Sequence, residues 1–255
     1  MKNAPFTLPA LTSILSLLLL PSPSFAQDVE RAEAEESPFT AQTKLGFIYT
    51  ENTSSSLSVN SALYLNYQQE SWLHKASFES YYTDADNADD GANRYAVNAG
   101  STYDFAEKTF VRGGARFEND LYGTYRKQWI LMTGIGVYLV NNDTIKTSIS
   151  LGPGYRITQR QAFDSEFPDQ MNYEVIASST LDSSIVFSER LSMGATFDVA
   201  HGEENTHYNT KAYIKNTLMA NLSLVFDVEY IYNTTVAEDQ SPDEIYSTMS
   251  LSYDF

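Results

Sequence analysis

Apolar and polar residues alternate almost without interruption from Lys44 to Phe255. The pattern is clearest at the end of the chain. Ile245, Ser247, Met249, Leu251, Tyr253 and Phe255 alternate there with Tyr246, Thr248, Ser250, Ser252 and Asp254. A period of two places one set on each face of a strand. In water, an apolar strand ending the chain would leave an adhesive edge. Pairing that edge with the first strand closes a barrel, and in a membrane the apolar face then turns to lipid. The expected fold is therefore all-β, a transmembrane antiparallel barrel of the outer-membrane type.

The same alternation predicts about twelve strands. The first carries Leu45, Phe47 and Tyr49 outward; the second, Leu57 to Tyr67, carries Ser58, Asn60, Tyr64 and Asn66 inward. The others are expected over 72–82, 94–105, 109–118, 128–139, 144–158, 172–187, 191–200, 208–218, 222–232 and 245–255. Most reach the roughly 9 to 11 residues that cross a bilayer as a tilted strand. The connections alternate too. Gln68–Ser71, Ala106–Lys108, Asn141–Asp143, Ser188–Arg190 and Met219–Asn221 are short; 83–93, 119–127, 159–171, 201–207 and 233–243 are longer, with 51–55 the short exception. Short periplasmic turns and longer outer loops characterise bacterial barrels, whereas a soluble sandwich explains only the alternation.

The beginning of the chain reads as an export signal. Lys2 precedes the apolar run Leu8–Leu20, which is too short to span a bilayer, and Ser24-Phe25-Ala26 forms a cleavage site. Residues 1–26 are thus expected to be a signal peptide cleaved after Ala26, 27–42 an acidic periplasmic lead-in, and 43–255 the barrel. Loss of the leader's one lysine takes the formal net charge from −17 to −18, which argues against nucleic acid as a partner. The absence of cysteine excludes disulfides, a thiol nucleophile and Cys-ligated zinc. The 18 tyrosines and 14 phenylalanines would supply the aromatic girdles of a barrel. Tyr253 and Phe255 belong to that set, and the terminal aromatic resembles the signal read by the outer-membrane assembly machinery.

Several short motifs carry a family resemblance: Thr50-Glu51-Asn52-Thr53, Arg94-Tyr95, Tyr103-Asp104, Gly134-Ile135-Gly136, Leu151-Gly152-Pro153-Gly154-Tyr155 and Tyr253-Asp254-Phe255. With these, 44–255 resembles the YdiY-like, salt-induced outer-membrane proteins, a domain-of-unknown-function family. Glu51 stands where that family usually has glycine. The resemblance implies an outer-membrane barrel without an established activity. It alone implies a role for the envelope under osmotic or acid stress.

Alternation also assigns the lumen. Arg94, Arg112, Arg116, Lys146 and Arg156 would form a basic wall, and Glu174, Asp182, Asp198, Asp227 and Glu229 an acidic one, with Lys211 and Lys215 between the acids. Such a lumen could be a constriction with a transverse field, selecting small charged solutes. It could equally be locked by interlaced salt bridges, because buried charges must be paired. Twelve strands lie between filled and open barrels, so size leaves both open. Gly114, Gly134, Gly136, Gly152 and Gly154 face inward as well, leaving room for a solute path, a packed side chain or a bend in the wall.

Other chemistry has little support in the sequence. His74, beside Trp72, fits an interfacial belt; His201 and His207 flank an outer loop without a serine two residues away on the same face. No catalytic set is expected. The acidic stretch Asp84–Gly91 breaks the EF-hand pattern at Ala88 and Asp89, so no metal site or cofactor is expected. The expected partners are membrane lipid, lipopolysaccharide, the assembly machinery and, for an open lumen, small charged solutes.

Overall fold

The computed structural model describes residues 37–255 apart from 52–54, 86–91, 163, 165 and 238–239. The expected signal peptide, most of the lead-in and most of the acidic stretch after Asp84 lie outside the described residues. Twelve strands are present: β1 (Phe39–Glu51), β2 (Ser55–Gln69), β3 (Trp72–Ala85), β4 (Ala92–Ala106), β5 (Thr109–Asp120), β6 (Tyr125–Asn141), β7 (Ile145–Arg160), β8 (Met171–Ser188), β9 (Leu191–His201), β10 (Thr206–Met219), β11 (Leu222–Asn233) and β12 (Asp243–Asp254). Each pairs antiparallel with its neighbour in sequence, and β12 pairs with β1 to close the barrel. β1 begins at Phe39, ahead of the expected start at 43, because Phe39–Gln42 pair with Tyr67–Tyr64 of β2. Several strands also extend beyond the expected bounds, where their polar ends continue the ladder above the apolar band.

The alternation translates into an outward apolar band. Phe47, Leu131, Leu151, Val175 and Ile245 are more than half exposed on the outer face. Aromatic residues concentrate toward both rims. At the rim carrying Phe255, Trp72 packs on Tyr103 and His74, with ring centroids 4.8 and 5.6 Å apart, and Tyr253 meets Phe255 edge-on at 4.8 Å. Near the opposite rim Phe117 contacts Trp129 at 5.0 Å and Tyr95 at 5.9 Å. Amphipathic rings settle at the two interfaces of a bilayer, so this outer surface has the form of a membrane-spanning barrel.

The seam between first and last strands is short. Gln42–Leu45 pair with Asp254–Leu251. Side chains reinforce it: Gln42 Nε2 donates to Asp254 Oδ1 at 2.6 Å, Lys44 Nζ reaches Asp227 Oδ1 at 2.8 Å, and Asn60 Nδ2 donates to Ser250 Oγ at 2.7 Å. The last bond passes over Gly46, where a Cβ would strike the Met249 carbonyl and crowd Asn60 Oδ1.

Elsewhere the inward glycines admit backbone or rings. β6 and β7 approach so closely near Pro153 that a Cβ on Gly134 would lie 2.8 Å from the Leu151 carbonyl, and one on Gly152 would strike the Thr133 carbonyl. At Gly136 the space is filled by the Phe110 ring. A side chain at Gly152 therefore forces two hydrogen-bonded strands apart, a strain of about 1–3 kcal/mol or more. Gly152→Val is expected to lower the yield and melting temperature of the folded form, read as the gel band whose mobility changes on boiling. Gly113→Ala is expected to leave both unchanged, because the nearest atom to its Cβ would be the Met132 carbonyl oxygen at 3.9 Å.

Candidate functional site

The lumen is the candidate site, and it is unevenly filled. On the β6–β9 side Ile130, Ile176 and Ala200 pack together with Met132. Phe110 and Tyr138 fill the lumen below them, their ring centroids 4.8 Å apart. On the opposite side, β1–β4 and β9–β12 enclose a chamber of about 550 Å³ lined by Lys44, Tyr64, Lys75, Glu79, Tyr213 and Asp227, among others.

A layer of charge crosses the lumen at the loop side of this chamber. Arg94 Nη1 meets Glu229 Oε2 at 2.6 Å, and its Nε meets Glu118 Oε1 at 3.0 Å. Arg116 Nη2 meets Glu118 Oε2 at 2.5 Å and lies 3.9 Å from Glu229 Oε1. Lys211 Nζ is held by Glu79 Oε2 at 2.8 Å and stands 3.6 Å from Glu229. Arg94 is bound in fork geometry by carboxylates from β5 and β11 while its guanidinium lies over the Tyr246 ring at 4.8 Å. The pairs among Arg94, Arg116, Glu118 and Glu229 are desolvated, so each partner depends on the other's charge, while Lys211 and Glu79 remain half-buried.

The expected basic and acidic walls meet rather than stand apart. Glu229 bridges to Arg94 and Arg116; Arg156, wholly buried, binds Glu174 Oε1 through Nε at 2.8 Å. Asp227 takes Lys44. Asp182 and Asp198 accept from the hydroxyls of Thr196 and Thr180 at 2.8 and 2.6 Å. Arg112 donates to Ser150 Oγ at 3.2 Å, and Lys146 is exposed toward the Phe255 rim. Among the described residues, neither is paired with a carboxylate. Glu118, Glu79 and Lys44 complete the network and were absent from the expected set. Glu118 shares its strand face with Arg112 and Arg116, a parity signal already present in the sequence. Its pairing with Arg94 depends on strand register.

The loops fold over the mouth. Arg156 donates to the Ala200 carbonyl at 3.3 Å and to the Asn205 carbonyl, fixing the β9–β10 loop inward. Asn205 Oδ1 accepts from Thr234 Oγ1 and the Thr235 amide in the β11–β12 loop. Gln161, 2% exposed, donates to the carbonyls of Asp120 and Gly123 at 3.1 and 2.7 Å. Farther along that loop, the amides of Phe167 and Glu166, together with Arg160, hold the Asp164 carboxyl below the usual carboxylate range despite its burial. The histidines take separate places: His74 at the aromatic rim, His201 bonded to Thr206 Oγ1, and His207 buried against Asn233. No group of three or more His, Asp or Glu among the described residues is arranged to hold a metal ion.

Solved structures of similar shape are membrane barrels. The translocator domain of the autotransporter NalP from Neisseria meningitidis is 12% identical, covers 84% of this chain and 87% of its own, and gives a TM-score of 0.49. An outer membrane channel from Pseudomonas putida F1 is 10% identical over 89% of this chain and all of its own (100%), with a TM-score of 0.49. The NanC porin is 9% identical over 84% and 97% of the two chains, at 0.48. No curated protein matches in sequence. The family model described as "Protein of unknown function, DUF481" matches residues 43–255, and the chain belongs to that family.

Proposed function

We propose that this protein works in the outer membrane of a Gram-negative cell as a narrow barrel, closed at rest, that supports the envelope. The observation that carries the reading is the Arg94–Glu118–Arg116–Glu229 layer beneath the hydrogen-bonded loops, because a hydrated path would have to separate desolvated ion pairs. Export through a leader cleaved after Ala26, recognition of Tyr253 and Phe255 by the assembly machinery, and contact with lipid and lipopolysaccharide belong to the same reading. The stress role rests on the resemblance to salt-induced outer-membrane proteins.

A second reading, passage of small charged solutes, is favoured by the chamber of about 550 Å³ on the Phe255 side of the layer. That size is within the roughly 300–1,000 Å³ of small-molecule pockets. Single-channel recording from refolded protein in a planar bilayer under a salt gradient separates the two. The closed barrel is expected to be silent for long periods. Permanent open steps would instead make it a channel, with the sign of the reversal potential naming the governing charge.

Breaking the layer without changing net charge tests the barrier itself. Arg94→Gln combined with Glu229→Gln removes one charge of each sign and keeps side chains of similar length. It is expected to raise open probability at least about tenfold, since separating a buried pair costs several kcal/mol. Unchanged recordings from a folded double variant would place the barrier elsewhere.

A further inference from the structure

The mouth contains an arrangement that neither the ion-paired layer nor the chamber explains. The strap Leu121–Thr124 joins β5 to β6 and is clasped by two carboxylates. Asp120 Oδ1 accepts from the amides of Tyr122 and Gly123, both at 2.9 Å. Glu244 Oε1, on β12, accepts the Thr124 amide at 3.0 Å and its hydroxyl at 3.1 Å. The remaining oxygens converge on one group: Tyr246 Oη lies 3.1 Å from Asp120 Oδ2 and 2.8 Å from Glu244 Oε2. A phenol has a single proton and can donate to only one of them.

The surroundings do not supply the missing positive charge. Asp120 is 3% exposed, and Arg94 Nε is its nearest cationic atom, at 3.8 Å. Arg94 is already engaged by Glu118 and Glu229, and Arg116 by Glu118. Lys211 is held by Glu79. From β3, Tyr81 offers only the edge of its ring to Tyr246, at 5.3 Å. The Gln161 amide is spent on backbone carbonyls. Four carboxylates, Asp120, Glu118, Glu229 and Glu244, thus face two guanidiniums. Gly123 completes the enclosure: a Cβ there would stand 2.8 Å from Asp120 Oδ2 and 3.2 Å from Glu244 Oε2.

We infer that Asp120 and Glu244 share one proton through Tyr246, forming a latch that holds the mouth closed and releases it when the proton is lost. With Asp120 protonated, Oδ2–H donates to Tyr246 Oη, whose own proton goes to Glu244 Oε2; the mirror arrangement protonates Glu244. Opening delivers the shared proton to water and leaves two carboxylates that repel. The closed state binds one proton more than the open one, so acid favours closure and rising pH favours opening. This inference rests on the closed-barrel reading and adds its regulation.

The test uses the full-length protein refolded in detergent and a single cysteine, since the native chain has none. Ala237, only 7% exposed in the β11–β12 loop, becomes Ala237→Cys; the exposed turn residue Asp143, as Asp143→Cys, supplies the reference. The rate of maleimide labelling at position 237 is divided by that at 143, which cancels the pH dependence of the thiol. The ratio is expected to rise at least about tenfold between about pH 5 and about pH 8.5. Adding Asp120→Asn or Glu244→Gln is expected to hold it low throughout, because the amide carries the missing donor permanently. A flat profile in the parent, or an unchanged step in both amide variants, overturns the latch. So does a ratio that responds to chelator or magnesium rather than to acid, since a cation would then bridge the carboxylates. Conductance at about pH 5 tests the underlying reading separately. Open steps there would end the closed-barrel proposal and with it the latch as its regulator, whereas silence there with a flat labelling profile would end the latch alone.

Discussion

Backbone amides and carbonyls find no water in hydrocarbon, and this requirement organises the protein. Each unsatisfied group costs several kcal/mol, so a sheet that crosses a membrane must close on itself. Closure fixes strand parity, and parity divides the residues into a lipid face and a lumen face. The apolar band, the two aromatic rims and the polar interior follow from that division. The seam is the weakest place in the scheme, since its register runs only from Gln42 to Leu45 on one side. The side-chain bonds from Gln42, Lys44 and Asn60 are concentrated at this short ladder.

A closed barrel of this size leaves an interior that must be filled or solvated, and the protein does both. The β6–β9 side uses aliphatic packing and rings placed over glycines; the other side keeps a chamber. Between chamber and mouth, Arg94 gathers carboxylates from strands far apart in sequence. A guanidinium suits this position because its planar fork donates to two carboxylates in fixed geometry. In the proposed closed barrel the same rigidity makes the layer a barrier, since moving Glu118 or Glu229 strips a buried charge of its partner. On that reading charge pairing and lumen closure are one property.

Much of this was legible in the chain. Period-two alternation needs no tertiary information, so strand number, facing and the short turns at one rim were readable, as was the inward placement of Arg94, Arg116, Arg156 and Glu229. What escaped reading depends on register. Arg94 and Glu229 are 135 residues apart, and only the combined offsets of the intervening hairpins place them at one height. Glu118 had the right parity, yet looked like the end of a basic strand. The extension at Tyr125 escaped for another reason: Tyr125-Arg126-Lys127 is a polar strand end beyond the membrane band and lacks the alternation that identifies a strand. Phe39–Gln42, by contrast, alternates but directly follows the acidic, proline-ended stretch read as a lead-in. Most of the loop bonds around Asn205 and Gln161 use backbone carbonyls or amides, which have no sequence signature.

The strap Leu121–Thr124 illustrates how such a barrel can place a sensitive element without a dedicated domain. Its two anchor strands are held rigidly by the ladder, and the connection between them is too short to wander. Whether it lies down is decided by side chains at strand ends, where Asp120 and Glu244 sit at the same level on β5 and β12. They are not neighbours in the sheet; Tyr246 spans the lumen between them. A group that joins opposite walls at the mouth closes it in the same act, whereas a bond between adjacent strands would only stiffen the wall. The position of Tyr246 across the opening, more than the acidity of its partners, is what couples protonation to access.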